Sequence, residues 1–116
     1  MRRDIRGQVD SESRVVGRVE ISAGTVIERS TIRGPVAIAQ GCQIRDSFIG
    51  PSTSIAMGTI IENSRVDNSV ILGNCLISNI ARLEDSVIGR GAHVHKRADD
   101  FTGVRLFIGD DTIVEL

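Results

Sequence analysis

The sequence has no tryptophan, no tyrosine and only three phenylalanines in 116 residues. Any core must therefore be built from aliphatic side chains, and no aromatic platform exists on which nucleobases could stack. Neither sign of charge is in excess. Fourteen Lys and Arg against 15 Asp and Glu leave a net charge of −1, without the basic footprint that nucleic acid or an anionic membrane requires. No apolar run approaches the roughly 18 residues of a membrane span. The opening stretch MRRDIRGQVD carries charges with no apolar segment behind them, unlike a signal peptide. These absences describe a single cytoplasmic domain with a modest core.

What is present is a spacing. In IRDSFIGPSTSIAMGTI, residues 44–60, isoleucines stand at Ile44, Ile49 and Ile55, and the next is Ile61. On a helix they would scatter around the axis, and in one long strand they would alternate between faces. Shifting the frame by 17 residues gives three matching lines that start at Ile27, Ile44 and Ile61. Extended both ways, the aliphatic column runs Val15, Ile21, Ile27, Ile32, Ile38, Ile44, Ile49, Ile55, Ile61, Val66, Ile71, Ile77, Leu83, Ile88, Val94 and, after a break, Ile108. Four residues after each comes a second residue, mostly small, including Thr31, Phe48, Thr53, Arg65, Val70 and Val87. One large and one small inward residue per segment describe a narrow tube. This is the hexapeptide pattern of an all-β, single-stranded parallel β-helix of about five coils, three short strands to a coil.

Three further columns follow the same frame. Gly24, Gly41, Gly58 and Asn74 recur at one expected corner, where left-handed backbone angles are needed. Ser30, Ser47 and Ser64 form a second column, and Glu28, Arg45 and Glu62 a third with alternating charge. Residues 1–9 read as an entering strand or linker, 10–98 as the coils, and 99–116 as a loop, a capping segment and a last strand. An end cap is expected because a terminal coil leaves strand edges unpaired. Just before the inward aliphatics, one edge carries Val26, Gln43, Ile60 and Leu76, with Leu72 nearby. This apolar stripe is expected to touch another copy of the chain or another domain.

Candidate chemistry is sparse. Cys42 and Cys75 fall two coils apart at small inward positions, about 10 Å from each other, too far for a disulfide. His93 and His95 flank inward Val94 and project outward beside Lys96 and Arg97. The pair could act in acid–base chemistry. A catalytic zinc usually needs three protein ligands, and the chain has two histidines, so no metal site is expected. GRGAH, residues 89–93, lies at a corner with no helix behind it to hold a phosphate.

The run VVGRVEISAGTVIERSTIRGPVAIAQGCQIRDSFIGPSTSI, with IIENSRVDNSVIL, RLEDSVIGRGAHV and the closing FIGDDTIVEL, resembles the C-terminal left-handed β-helix domain of long-form glucose-1-phosphate thymidylyltransferases. The left hand of the coil is supplied by that resemblance. It implies an enzyme that joins a nucleoside triphosphate to glucose 1-phosphate and releases pyrophosphate with magnesium. The family's nucleotide loop, catalytic aspartates and sugar pocket belong to an N-terminal α/β domain whose motifs are missing here. No catalytic residue, cofactor or metal can therefore be carried over. The expected role is non-catalytic, structural and oligomerising. The partner is a second copy, most simply in a trimer, or a catalytic α/β domain. Two alternatives remain: an acyltransferase using acetyl-coenzyme A, with His93 or His95 as base and Lys96 or Arg97 on its phosphates, or a free-standing scaffold.

Overall fold

The computed structural model describes residues 3–95 together with the strand residues 103–104, 107–108 and 113–115. Every described strand is two or three residues long, and every strand pairing is parallel, with residue types in register from one coil to the next. The strands build three sheets of seven, seven and six members. The first contains Val19–Ile21, Val36–Ile38, Thr53–Ile55, Val70–Ile71 and Val87–Ile88. The second contains Val26–Glu28, Gln43–Arg45, Ile60–Glu62, Leu76–Ser78 and His93–His95. The third contains Arg14–Val16, Thr31–Arg33, Phe48–Ile49, Arg65–Asp67 and Arg82–Glu84. These fifteen strands make five coils; Arg3–Ile5 and Gln8–Val9 stack beneath them as further rungs, and Gly103–Val104, Phe107–Ile108 and Ile113–Glu115, in the stretch expected to be a loop, cap and last strand, pair above them. The molecule is an all-β, parallel β-solenoid.

The aliphatic column is the core. From Ile21 to Val94 each of its members is buried, with Ile27, Ile44, Ile61 and Ile77 fully so and stacked on one another. Val15, at the lower end, is only partly covered. The second inward column differs from the expectation wherever the aliphatics are five apart. In those segments the buried small residue is Ser30, Ser47, Ser64, Ser69 or Ser86, three positions after the aliphatic, while Thr31, Phe48, Arg65, Val70 and Val87 point outward. The cause is strand alternation: residues two apart share a face, so the small inward residue is set by counting two back from the following aliphatic. In six-residue segments both counts agree, as at Val19, Val36, Thr53, Thr59 and Ala92, except between Ile77 and Leu83, where Ile80 is buried and Ala81, the residue both counts select, is half-buried.

The buried serines form a polar ladder. Ser47 Oγ donates to the Arg45 carbonyl at 2.7 Å and accepts the Ser64 N–H at 3.2 Å, and Ser30 and Ser64 repeat the arrangement below and above. Each hydroxyl thus replaces a backbone bond lost where the chain turns. The corners use left-handed backbone: between the first and second faces Gly24, Gly41, Gly58 and Asn74 all have positive φ, as expected. The other corners do the same with Arg29, Asp46, Asn63 and Asn79, and with Ser52, Asn68 and Asp85. Asn and Asp tolerate these angles because their short polar side chains bond locally. At Gly58 an added Cβ would also press on the Asn74 amide oxygen, so that side chain would have to turn aside.

Thr53 is the exception among the buried hydroxyls of the described residues. Its Oγ1 has no hydrogen-bond partner, and the residues beneath it in the same column are Val36 and Val19. An unpaired buried hydroxyl is destabilising, and valine has nearly the same shape. Thr53→Val is expected to raise the unfolding free energy by about 1 kcal/mol, read in a urea titration. Equal or lower stability would mean that the hydroxyl has found a partner.

Candidate functional site

The second face presents two outward columns. One runs Gln8, Val26, Gln43, Ile60, Leu76, His93 and the other Glu28, Arg45, Glu62, Ser78, His95. In the latter, Arg45 Nη2 meets Glu62 Oε1 at 2.6 Å, a partly exposed pair that contributes little to stability but helps fix register. In the former, Val26, Ile60 and Leu76 do stack in one line with Gln43 between them, yet all three are half-buried; Leu72 is the open member of the expected stripe.

Most of the open apolar surface lies elsewhere. Val70 is 42 % exposed, Val87 41 %, Leu72 40 % and Met57 52 %. Val70 and Val87 are adjacent in the outward column of the first face, and Leu72 directly follows that strand. Met57 lies at the corner that leads to the strand Ile60–Glu62. The apolar area therefore wraps the edge between the first and second faces. Counting forward by four had placed Val70 and Val87 inside the tube; the signal that could have found them is the buried Ser69 and Ser86 immediately before.

His93 and His95 project outward on either side of buried Val94, His93 exposed and His95 half-buried. The register sets His93 above Leu76 and His95 above Ser78, with Glu115 the next residue in the His95 column. Lys96 and Arg97 lie outside the described residues, so the four-residue cluster is placed only as far as the two imidazoles. Among the described residues no three His, Cys, Asp or Glu side chains converge on a point where a metal could sit. Cys42 and Cys75 are buried thiols outside any disulfide. Their column reads Thr25, Cys42, Thr59, Cys75, with the thiols two coils apart, and burial pushes the Cys42 thiol pKa up.

A shallow groove between the second and third faces is lined by Arg29, Asp46, Asn63, Asn79, Phe48 and Arg65. Its polar groups bond chiefly to one another. Arg29 Nε donates to Asp46 at 2.7 Å, Asn63 Nδ2 donates to Asn79 Oδ1 at 3.0 Å, and the Arg65 guanidinium stacks on the Phe48 ring at 4.5 Å. The Arg29 guanidinium holds the Asp46 carboxyl below its usual range, in an exposed setting. Outward-facing Phe48 and Arg65, expected inside, thus acquire a role on the surface. Among the described residues no helix is long and apolar enough to cross a membrane.

Comparison with known proteins places this geometry. The structure of the H141A mutant of GDP-perosamine N-acetyl transferase from Caulobacter crescentus, in complex with CoA and GDP-perosamine, superposes with a TM-score of 0.53 at 17 % identity, over 97 % of this chain and 52 % of that one. The likeness establishes the fold, and the chain spans about half the length of that transferase. No curated protein shows significant sequence similarity to it. The family model described as the GMPPB C-terminal domain, a hexapeptide-repeat domain of sugar nucleotidyltransferases, matches residues 32–115. The coils, the buried aliphatic column and a match over most of their length lead to one assignment: the chain belongs to the GMPPB C-terminal domain family.

Proposed function

We propose that this chain is a non-catalytic domain of a cytoplasmic sugar nucleotidyltransferase system, a rigid support that holds copies of the enzyme together. The observation that carries the reading is the apolar edge formed by Ile60, Leu72, Leu76 and their neighbours, on a molecule whose ion pairs, Arg29–Asp46 and Arg45–Glu62 among them, lie along the outer wall. The nucleotide-joining chemistry, the magnesium and the sugar pocket belong in this reading to a catalytic α/β domain. Glucose 1-phosphate with a thymidylyl donor is the substrate pair that the resemblance to the thymidylyltransferase C-terminal domain, carried in part by the IRGP and FIGP turns, implies for that catalytic domain. The association is of like copies, most simply a trimer.

The test is sedimentation of the double variant Ile60→Asp, Leu76→Asp. Two half-buried aliphatics replaced by carboxylates in an association surface leave unpaired charges there, so the variant is expected to sediment as a smaller species. Both positions face outward, so circular dichroism should show the same β signature. Association equal to that of the parent chain would overturn the reading. A second reading, an acyltransferase using acetyl-coenzyme A, is supported by the outward imidazole of His93 one coil above Leu76 and by the coenzyme bound in the fold relative. Calorimetry separates the two: micromolar binding of acetyl-coenzyme A that is lost in His93→Ala would replace the first reading with the second.

A further inference from the structure

At the lower end of the tube the third sheet stops at Arg14–Val16, which has Thr31–Arg33 above it and no described strand below. The Arg14 N–H donates upward to the Ser30 carbonyl at 2.9 Å, and the Val16 carbonyl accepts the Gly34 N–H at 2.8 Å. Successive residues of a parallel strand send their backbone groups to opposite sides, so the N–H and C=O of Val15 point downward, away from the tube. The Val15 side chain is half-buried beneath a fully buried Ile32, and Val16 is 40 % exposed on the outer wall. Ile5, beneath buried Ile21, is likewise 40 % exposed. Strand edge and apolar floor are open together.

Three arginines border this edge. Arg14 faces outward on the strand itself, Arg33 faces outward one coil above Val16, and Arg18 lies at the corner that follows. All three are exposed, and none makes an ion pair among the described residues. The carboxylates of the lower end are engaged elsewhere: Asp10 accepts from Ser13 and from the Arg29 N–H, Glu12 lies in the field of Arg29, and Asp4 pairs with Arg6. Glu20 shares a hollow of the first face with Arg18 without pairing to it. Higher on the third face Arg82 pairs with Glu84 and Arg65 covers Phe48. Uncompensated positive charge is thus concentrated where the strand edge is open.

We infer that the lower edge of the third sheet takes an extended acidic segment of another protein, added as one more strand beneath Arg14–Val16. The Val15 N–H and C=O supply the main-chain bonds, as in other strand additions. The incoming residue under Val15 is aliphatic and continues the buried column, while its neighbours face outward with a carboxylate under Arg14. Charge sets the sign of the partner, because unpaired arginines repel a basic strand and attract an acidic one. The inference does not depend on the self-association proposed above, which uses a different surface.

The test is fluorescence anisotropy of a labelled synthetic peptide alternating Glu and Val, five of each, titrated with the full chain. Saturable binding is expected, weakened at least about tenfold by Arg14→Glu combined with Arg33→Glu and by added salt. Val15→Pro removes an N–H that the native pairing does not use and is expected to abolish binding with the β signature in circular dichroism unchanged. A peptide with the same residues in two blocks keeps the charge and loses the alternation, so it should bind at least about tenfold more weakly. Equal binding of the block peptide would reduce the contact to charge and overturn strand addition. No binding of the alternating peptide, or equal binding of one alternating Lys and Val, would overturn the inference, and neither peptide result requires a variant to fold. Sedimentation of the same samples reads self-association separately, so the two proposals fail independently.

Discussion

Ile61→Ala is expected to lower the unfolding free energy by about 2–5 kcal/mol, the range for truncating a fully buried aliphatic. Ile61 has no exposed surface and stands at the middle of its column, between Ile44 below and Ile77 above. The hole cannot close easily, because the backbone around it is fixed by parallel hydrogen bonds to both neighbouring coils. Filling it would mean bringing coils closer than the hydrogen-bonded strand spacing allows. A urea titration of the variant measures the effect through its midpoint at unchanged slope. A loss below about 1 kcal/mol, no more than the usual cost of the far smaller change Ile→Val, would show a loosely packed interior at odds with the zero exposure of the column.

Ser47→Ala is expected to cost about 1–3 kcal/mol, the penalty for a buried polar group left without its partner. Removing Oγ withdraws the acceptor of the Ser64 N–H and one of the two donors to the Arg45 carbonyl, which keeps the Asn63 N–H. Both lie at a corner where the regular strand bonds have stopped. The contrast with Thr53→Val makes the comparison sharp: two hydroxyls, both at small inward positions, one holding the next coil and one bonded to nothing. Opposite signs for the two variants, measured in the same buffer, are the expected result. If both lost stability equally, the serine ladder would carry no more weight than ordinary packing.

These two residues also show how far the molecule could be read from its sequence. Ile61 was legible, because a branched aliphatic every five or six residues fits neither a helical stripe nor a single alternating strand, and 17-residue recurrence then sets coil upon coil. Gly24, Gly41, Gly58 and Asn74 were legible for a similar reason, since one turn repeated in every coil demands one kind of residue. Ser47 was visible as a column but its direction was not. Counting four forward from Ile44 selects Phe48, whereas the strand counts two back from Ile49 and selects Ser47. The same slip hid Val70 and Val87, which are half of the exposed apolar patch, and put Arg65 in a core that could not have accepted an unpaired guanidinium. His93 and His95 were placed correctly on the outer wall by their flanking of Val94. What they touch depends on neighbouring columns, and one sequence does not specify those until the register is known.

The register has a consequence for how such a protein can change. Because each coil bonds only to the coil above and the coil below, and repeats the same large, small and corner positions, a whole coil of about 17 residues is an interchangeable part. Duplicating or removing one leaves every remaining pairing intact and alters the height by a fixed step of about 4.8 Å. A single inserted residue inside a strand would instead turn every later side chain to the wrong side of the wall. The tube is in this sense a ruler graduated in turns: its length can drift by whole divisions, and hardly at all by fractions.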